Sequence, residues 1–329
     1  MSPEIIIVGL KEIGASIGLA LAQTGVEGSR TGYDADAQVA RAARKAGAVN
    51  RLALSLGRSC RSADLVILAV PSCDVLPYLE AIGPGLKPGA LVLDTSSLKS
   101  AAIGWAAEHL PEGCSYVGAV PVVNATALHI GAPGLGEPRA DLFQGGLMAM
   151  VIPAKTPEAA VELALSVARQ LGAAPFFIDP AEVDAVMATV EGLPALLAVV
   201  LMRVAVQTPG WREARRIAGR QFANLAIVGA LQSPQDLQAS LGLNRNNVLA
   251  RVDAAIEELQ SLRALIAQEE AEDLKASLAE AVEAHDAWLA AREQADWGRE
   301  ELGKVELPEG GMFDRLLGIG GSLRPKDRR

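Results

Sequence analysis

Gly9, Lys11 and Gly14 lie near the start of the chain with the spacing of a phosphate-binding turn, after an apolar run at 5–8. In a dinucleotide-binding turn the first glycine permits the tight turn, the second lets the backbone approach the pyrophosphate, and the third lets the helix pack closely on the strand. Lys11 replaces the second glycine, so its ammonium would either bind a phosphate or occupy the space of one. We assign Gly9, Lys11, Ile13 and Gly14 to a predicted cofactor site.

Asp34 is the acidic residue that such a site requires. It ends a second strand-like segment, 25 residues after Gly9, close to where a carboxylate should bind the adenosine ribose hydroxyls. Ala35 follows instead of a basic residue, so the pattern favours NAD over NADP. Val70 and Pro71, at the end of the strand-like stretch ADLVILAVP, complete the predicted cofactor-binding set.

A rival chemistry overlaps the same turn, because GASIG at 14–18 fits the Gly-x-Ser-x-Gly pattern of a hydrolase nucleophile. Such an enzyme needs a histidine base, and none of His109, His129 and His285 stands in a recognisable catalytic context. The three cysteines are far apart and form no Cys-x-x-Cys pair, so no metal cluster is predicted. The dinucleotide interpretation is therefore favoured.

The charge of the chain restricts its partners. With 30 basic and 39 acidic residues the net charge is -9, which argues against nucleic acid or a membrane surface as the main partner. A small anionic substrate, bound at a few local basic sites, fits this balance better. The first residues, MSPEII, lack the pattern of a signal peptide, so we expect a cytoplasmic protein.

The elements that would position these residues change character near residue 180. Over residues 1–180, strand-like and helix-like segments alternate with short loops, which predicts an α/β domain with a doubly wound parallel sheet, Rossmann-like. Residues 181–300 are compatible with helix throughout. Within them LPALLAVVLM (193–202) is expected to be a buried core helix, and an apolar stripe from Val248 to Leu262 needs a partner in this chain or a second copy. Residues 301–329 are predicted to be a flexible tail.

Several longer stretches resemble one known family. The order and spacing of LVLDTSSLK (91–99), YVGAVPVVNATAL (116–128), VDAVMATVEGLPALLAVVL (183–201) and PGWREARRIAG (209–219) are similar to those of the prephenate/arogenate dehydrogenases of tyrosine biosynthesis. The resemblance covers about residues 5–266. It implies a dinucleotide-binding domain followed by a helical domain that forms a homodimer. It also implies an oxidoreductase that transfers hydride to NAD(P) with oxidative decarboxylation of its substrate.

The resemblance also implies roles for individual residues. Ser97 and Lys99 match a Ser-x-Lys beside the nicotinamide and the substrate, and they are the predicted catalytic residues. Arg216 matches an arginine that binds a substrate carboxylate, with Arg212 in the same segment; a salt bridge that closes the domains is the structural alternative for Arg216. Glu191, on a helix expected to face the cleft, is the third predicted substrate-binding residue.

The chain departs from the family pattern at positions that carry chemistry. Val120 replaces the family histidine that accepts the hydroxyl proton, and Gly192 and Ala195 replace two further histidines. Glu191 is an alternative base, and His129 lies near the altered motif in a loop whose structure the sequence does not predict. Three hypotheses remain open: a dehydrogenase of the tyrosine pathway, a dehydrogenase of another small hydroxy acid, and a non-catalytic homologue that binds a nucleotide or a partner.

Overall fold

A computed structural model of the chain describes residues 3–24, 28–128, 136–226 and 233–294. The predicted tail at 301–329 and His129 lie outside the described residues. Eight strands within them form one sheet, in the order β3-β2-β1-β4-β5-β6-β7-β8. The strands are β1 (Glu4–Val8), β2 (Ser29–Tyr33), β3 (Arg51–Leu52), β4 (Leu65–Leu68), β5 (Leu91–Asp94), β6 (Ser115–Pro121), β7 (Leu147–Val151) and β8 (Ala174–Phe177).

Helices lie between most of these strands, and local signals define their ends. The carboxylate of Asp36 accepts a hydrogen bond from Gln38 N at the start of α2, and Gly47, with a φ of +86°, ends that helix. The predicted α/β class is confirmed. The helices of this half are α1 (Glu12–Gln23), α2 (Ala37–Ala46), α3 (Leu56–Ser59), α4 (Val75–Ile82), α5 (Ser100–His109) and α6 (Glu158–Gln170).

One strand pair departs from the parallel arrangement that the sequence predicts, so that β7 and β8 run opposite to the other six strands. β7 pairs antiparallel with β6, with Val120 opposite Ala149, whereas the other pairs are parallel. A parallel pair needs a long crossover connection, usually a helix. In the described residues between β6 and β7 no α-helix forms, and a short turn at Ala125–Ala127 is the nearest equivalent. β7 therefore runs back beside β6.

The sheet is buried on both faces. In β1, Ile5 and Ile7 join one apolar cluster with α1, α2 and α6. Ile6 and Val8 join a second cluster on the opposite face with α4 and α5. Each such side chain contributes roughly 1.5–3 kcal/mol when it is fully buried. The two clusters hold the carboxyl ends of the strands, and so the turns that follow them, in fixed positions.

The second half of the described chain is helical, with seven helices after β8. A π-helical turn, Ala188–Gly192, joins the first two of them, so that Pro180–Gln207 is one continuous helix. Pro194 accounts for the turn, because it has no N–H to donate to the carbonyl of Val190. The helices are α7 (Pro180–Met187), α8 (Leu193–Gln207), α9 (Trp211–Ile217), α10 (Arg220–Ala226), α11 (Pro234–Leu243), α12 (Arg245–Ala267) and α13 (Ala271–Gln294).

The prediction that residues 193–202 form a buried core helix is wrong for the single chain. Ala195 and Ala198 are the buried residues of α8, whereas Leu197, Val200 and Val204 are 43%, 51% and 60% exposed. Among the described helices, Pro180–Gln207 is the one that is long and apolar enough to span a membrane, by length and composition alone. The sequence pattern could not separate a helix covered by its own chain from one covered by another surface, since both are apolar all round.

Candidate active site

The carboxyl ends of β1 and β4 meet where the strand order reverses, which is the ligand-binding position of open α/β sheets. Gly9 follows β1 there with a φ of +84°, a conformation that residues with a Cβ rarely adopt. A Cβ on Gly9 would lie 2.2 Å from the Ala69 carbonyl oxygen, and one on Gly14 would lie 1.9 Å from the Gly9 carbonyl oxygen. The packing of the turn therefore requires both glycines.

Lys11 occupies the middle position of this turn without backbone strain. Its φ of -71° and ψ of -162° are ordinary extended values, and its side chain caps no N–H of α1. The first N–H groups of α1 thus keep their hydrogen-bonding capacity. The Lys11 side chain is exposed and forms no ion pair within the described ranges. The Lys11 ammonium, which has no ion pair in these ranges, therefore belongs to the residue directly before an uncapped helix N-terminus.

Asp34 lies against the same turn. One of its carboxylate oxygens accepts from Leu10 N at 2.7 Å and the other from Asp36 N at 2.8 Å. Each carboxylate oxygen can accept a second hydrogen bond, for example from a ribose hydroxyl. Asp34 therefore fixes the turn and still offers acceptors beside it.

A cleft of about 860 Å³ lies between the sheet and the helical half. On the sheet side it is lined by the turns after β1, β4 and β5, by α2 and by residues 136–138. On the other side it is lined by the π-helical turn, α11 and the start of α12. Its volume is in the usual range for small-molecule sites. The predicted site residues on its walls are Lys11, Ile13, Val70, Pro71, Ser97 and Glu191.

Ser97 and Lys99, the predicted catalytic pair, point to different places. Ser97 is half-buried and lines the cleft. Lys99 is fully buried, and its Nζ donates at 2.9 Å to Asp94 Oδ2 and at 2.9 Å to the Asp94 carbonyl oxygen. The structure therefore brings Ser97 to the cleft surface and places the Lys99 ammonium beneath it.

Asp94 gathers three side chains into what we call the Asp94 cluster: Asp94, Ser96, Lys99 and Tyr116. The Tyr116 hydroxyl donates to Asp94 Oδ2 at 2.7 Å and the Ser96 hydroxyl at 2.9 Å. Burial lowers the pKa of Lys99, and the charge and hydrogen bond of Asp94 oppose that change. Burial and then the Asp94 charge raise the pKa of Tyr116 well above its usual value, so the phenol stays protonated. The cluster fixes the segment that carries Ser97.

Asp184 of α7 joins the helical half to the same segment. Its carboxylate accepts from Lys99 N at 2.7 Å and from Ser100 N at 3.2 Å, at the start of α5, where a helix favours negative charge. Its carbonyl oxygen accepts from Asn244 Nδ2 at 2.6 Å, and Asn247 donates to Asn244 Oδ1 at 2.8 Å. These contacts set the distance between the two walls of the cleft.

Val120 stands where the resemblance expects a proton-accepting histidine. It is 8% exposed and belongs to an apolar cluster with Ala149, Val151 and Val183. Met187, which lines the cleft, packs against this cluster. The position is therefore an apolar support beneath the cleft wall, and its side chain cannot accept a proton.

Two predicted substrate-binding residues and the rival nucleophile lie elsewhere. Arg212 and Arg216 are exposed on α9 and do not line the described cleft of the single chain, so their roles stay predictions. Ser16 is fully buried within α1, and its hydroxyl accepts from Arg139 N at 2.9 Å. This geometry gives no support to the hydrolase interpretation.

Sequence reasoning missed the wall contributed by α11, which includes Asp236, Leu237 and Ser240. The sequence carries a helix-start signal there, because the Ser233 hydroxyl accepts from Asp236 N at 3.1 Å in a Ser-x-x-Asp pattern. That signal predicts where a helix begins, but it gives no indication of which distant surface the helix will face.

Two family models match this chain. Residues 17–176 match the prephenate dehydrogenase nucleotide-binding domain, and residues 179–280 match the prephenate dehydrogenase dimerization domain. The chain belongs to the prephenate dehydrogenase family. The first match begins after Gly9, Lys11 and Gly14, so the altered turn lies outside the matched residues. The second match covers helix Pro180–Gln207, and its exposed apolar side chains suit a dimerization domain.

Individual relatives agree with this assignment. Prephenate dehydrogenase of Bacillus subtilis (strain 168) is 26% identical over 276 residues, which are 83% of this chain and 73% of the relative. Cyclohexadienyl dehydrogenase of Zymomonas mobilis is 25% identical over 273 residues, or 82% of this chain and 91% of the relative. The crystal structure of A. aeolicus prephenate dehydrogenase with hydroxyphenyl propionate and NAD+ has a TM-score of 0.75 at 22% identity, covering 87% of this chain and 98% of that chain. Such a likeness supports the fold.

The predicted family, fold and enzyme class are confirmed. The protein is a prephenate/arogenate dehydrogenase-like oxidoreductase that uses a nicotinamide dinucleotide cofactor and a small-molecule substrate, and its second domain indicates oligomerisation. The residues present fit such a cofactor, because the glycine turn, the uncapped start of α1 and the Lys11 ammonium adjoin one cleft.

Proposed function

We propose that the protein oxidises prephenate, arogenate or a close analogue with NAD, and that the substrate loses carbon dioxide as it is oxidised. The observation that carries this proposal is the cleft, which extends from the glycine turn to Ser97 and Glu191 in a chain whose two halves both match the family. Prephenate, cyclohexadienyl and arogenate dehydrogenases are the named relatives.

The cofactor-binding end of the cleft is formed by the chain around Gly9 and Gly14. The N–H groups at the start of α1 bind the pyrophosphate, and Lys11 adds an ion pair in place of the close backbone approach that a middle glycine would permit. Asp34 accepts hydrogen bonds from the ribose hydroxyls, and its charge disfavours the extra phosphate of NADP. When bound, the nicotinamide would supply the hydride acceptor.

The substrate end begins at Ser97, whose hydroxyl can donate to or accept from the reacting group. Lys99 acts from beneath, because its ion pair with Asp94 holds the backbone that carries Ser97. By family resemblance, Arg216 binds a substrate carboxylate, and Arg212 is a further substrate-binding residue. Val120 supplies no base, and general-base catalysis is worth about 100- to 10,000-fold, so we expect slow turnover in which water accepts the proton.

We also propose that the protein is a cytoplasmic homodimer, with residues 1–180 as the dinucleotide-binding domain and 181–300 as the dimer-forming domain. The support is the dimerization-domain match and the exposed apolar side chains of the helical half, such as Val204, Leu259 and Val282, which are 60%, 57% and 59% exposed. Light scattering on the eluted protein should give twice the mass of the chain. A Val204→Glu substitution should lower the measured mass toward that of the monomer, because the dimer interface would then bury a charge.

The test of the proposed reaction is formation of reduced nicotinamide from NAD with prephenate or arogenate. We expect turnover with at least one of the two substrates, and a much lower rate of NAD reduction in Ser97→Ala. Binding without any turnover would favour the second candidate, a non-catalytic homologue, to which the apolar burial of Val120 points.

Calorimetry with NAD and NADP tests the cofactor site separately. Asp34→Asn removes the charge but keeps an oxygen that can accept a hydrogen bond from Leu10 N. It should therefore reduce the difference in affinity between NAD and NADP while the conformation of the glycine turn is kept. Lys11→Gly should bind NAD more weakly and with a smaller salt dependence. Tighter binding by Lys11→Gly would mean that the lysine obstructs the phosphate.

A further inference from the structure

Glu191 is a carboxylate on the wall at the substrate end of the cleft. It lies in the π-helical turn, next to Gly192 and close to Met187 and Ala188, which line the same wall. Within the described chain its carboxylate forms no hydrogen bond or ion pair. Turns of this type are frequent at functional sites, because they re-aim side chains out of the regular helix.

The charges around Glu191 leave it uncompensated. Lys99 is the nearby cation on which its charge acts, but the Lys99 ammonium is buried and already paired with Asp94. Asp184 adds a second negative charge, and its carboxylate accepts hydrogen bonds from the N–H groups at the start of α5. Among the described residues that line the cleft, Lys11 is the one basic residue, and it lies at the glycine turn and not at the substrate end. The substrate end therefore favours a ligand that brings a positive charge.

We infer that Glu191 binds the ammonium group of an amino-acid substrate, so that the protein oxidises arogenate in preference to prephenate. The inference rests on the proposed function and assigns the substrate of the same cleft. The two compounds share a ring and its carboxylate, and they differ at one side-chain carbon, which carries an ammonium in arogenate and a keto oxygen in prephenate. A carboxylate distinguishes these groups directly, because it attracts the ammonium and repels the lone pairs of the keto oxygen.

The experiment compares kcat/KM for arogenate and prephenate in the native chain, in Glu191→Gln and in Glu137→Gln. Glu191→Gln keeps the size and hydrogen-bonding atoms of the side chain but removes its charge. We expect kcat/KM for arogenate to fall about 10- to 100-fold, mostly through KM, with prephenate changed less than about twofold. Glu137 lines the cleft beside Gly136, whose N–H donates to Glu12 at the start of α1. Glu137→Gln should therefore change kcat/KM for arogenate and for prephenate by the same factor.

Binding of L-tyrosine, the product of arogenate oxidation, and of a product analogue without the ammonium gives a readout that does not depend on turnover. Calorimetry in the presence of NAD should show L-tyrosine, which has the ammonium, binding more tightly than hydroxyphenyl propionate, which lacks it. Glu191→Gln should remove that difference.

Three outcomes would overturn the inference while leaving the proposed function intact. The native chain could prefer prephenate. In Glu191→Gln, kcat/KM could fall equally for both substrates, or the fall for arogenate could be confined to kcat. The last two would identify Glu191 as a base. Failure of the proposed function has a different signature, because neither substrate would then reduce NAD although tyrosine would still bind through Glu191.

Discussion

Removal of the Lys99 ammonium should destabilise the nucleotide-binding half, because Asp94 would remain charged and buried. Both side chains have no measurable exposure. Lys99→Met keeps the length of the side chain but deletes its charge and its two hydrogen bonds of 2.9 Å. Deleting one partner of a buried ion pair costs about 3–5 kcal/mol.

The remaining members of the Asp94 cluster put the expected loss at the lower end of that range. Tyr116 and Ser96 still donate to Asp94 Oδ2 in Lys99→Met, at 2.7 and 2.9 Å in the native chain. We therefore expect a loss of about 3 kcal/mol in the free energy of unfolding. For a domain of this size that corresponds to a melting temperature lower by roughly 6–12 °C.

Urea and thermal unfolding followed by circular dichroism would measure this loss, with Asp94→Asn and the double variant Asp94→Asn/Lys99→Met as companions. The double variant has no unpaired buried charge, so its loss in free energy of unfolding should be smaller than the sum of the losses in the two single variants. A loss below about 1 kcal/mol in Lys99→Met, or strict additivity in the double variant, would refute a buried ion pair at this position.

The other two predictions concern a glycine and a thiol. Gly14→Ala should weaken NAD binding strongly and destabilise the chain by about 1–3 kcal/mol or more, because the new methyl would meet the Gly9 carbonyl oxygen at 1.9 Å. Gly104→Ala is the matched helical control for calorimetry and melting, since nothing lies within 4 Å of its Cβ position, and equal effects of both would contradict the packing argument. Burial raises the pKa of Cys60 from 9.0 to about 12, so its contribution to stability is complete below pH 9 and is lost as the pH rises toward 12. Cys60→Ala should flatten this alkaline decline in melting temperature, and an unchanged pH profile would argue against a protonated buried thiol.

The glycine turn and Asp34 could be predicted from sequence because local rules fix them. A strand, a turn that needs φ above zero and a following helix place Gly9, Gly14 and the start of α1 within a few residues of each other. Asp34 could be predicted for the same reason, because it directly follows the strand that pairs with β1.

The direction of Lys99 could not be predicted in this way. Its side chain turns beneath β5 because Gly118 on the neighbouring strand leaves room; a Cβ on Gly118 would lie 2.8 Å from Lys99 Cδ. That space, and the Tyr116 hydroxyl that completes the Asp94 cluster, come from a strand more than ten residues away along the chain. Motif spacing alone does not include such contacts.

The exposure of α8 and the position of α11 depend on still longer-range packing. α8 has the composition of a core helix, yet Val200 and Val204 remain exposed in the single chain. The α11 wall faces the same cleft as the glycine turn, although Asp236 and Lys11 are more than 200 positions apart in the sequence. Secondary structure was predictable in both places, whereas the surface that each helix meets depends on the assembled domains.

The π-helical turn links two surfaces of the protein through the length of a single helix. Each helical residue advances the direction of its side chain by about 100°. A π-helical turn already holds one residue more than an ordinary turn, so gain of a further residue between Ala188 and Gly192 would rotate every later side chain of α8 by more than a quarter of a revolution. Leu197 and Val200 would then leave the exposed apolar face at the same moment as Glu191 left the cleft wall. Insertions at this turn thus act on assembly and on substrate binding together.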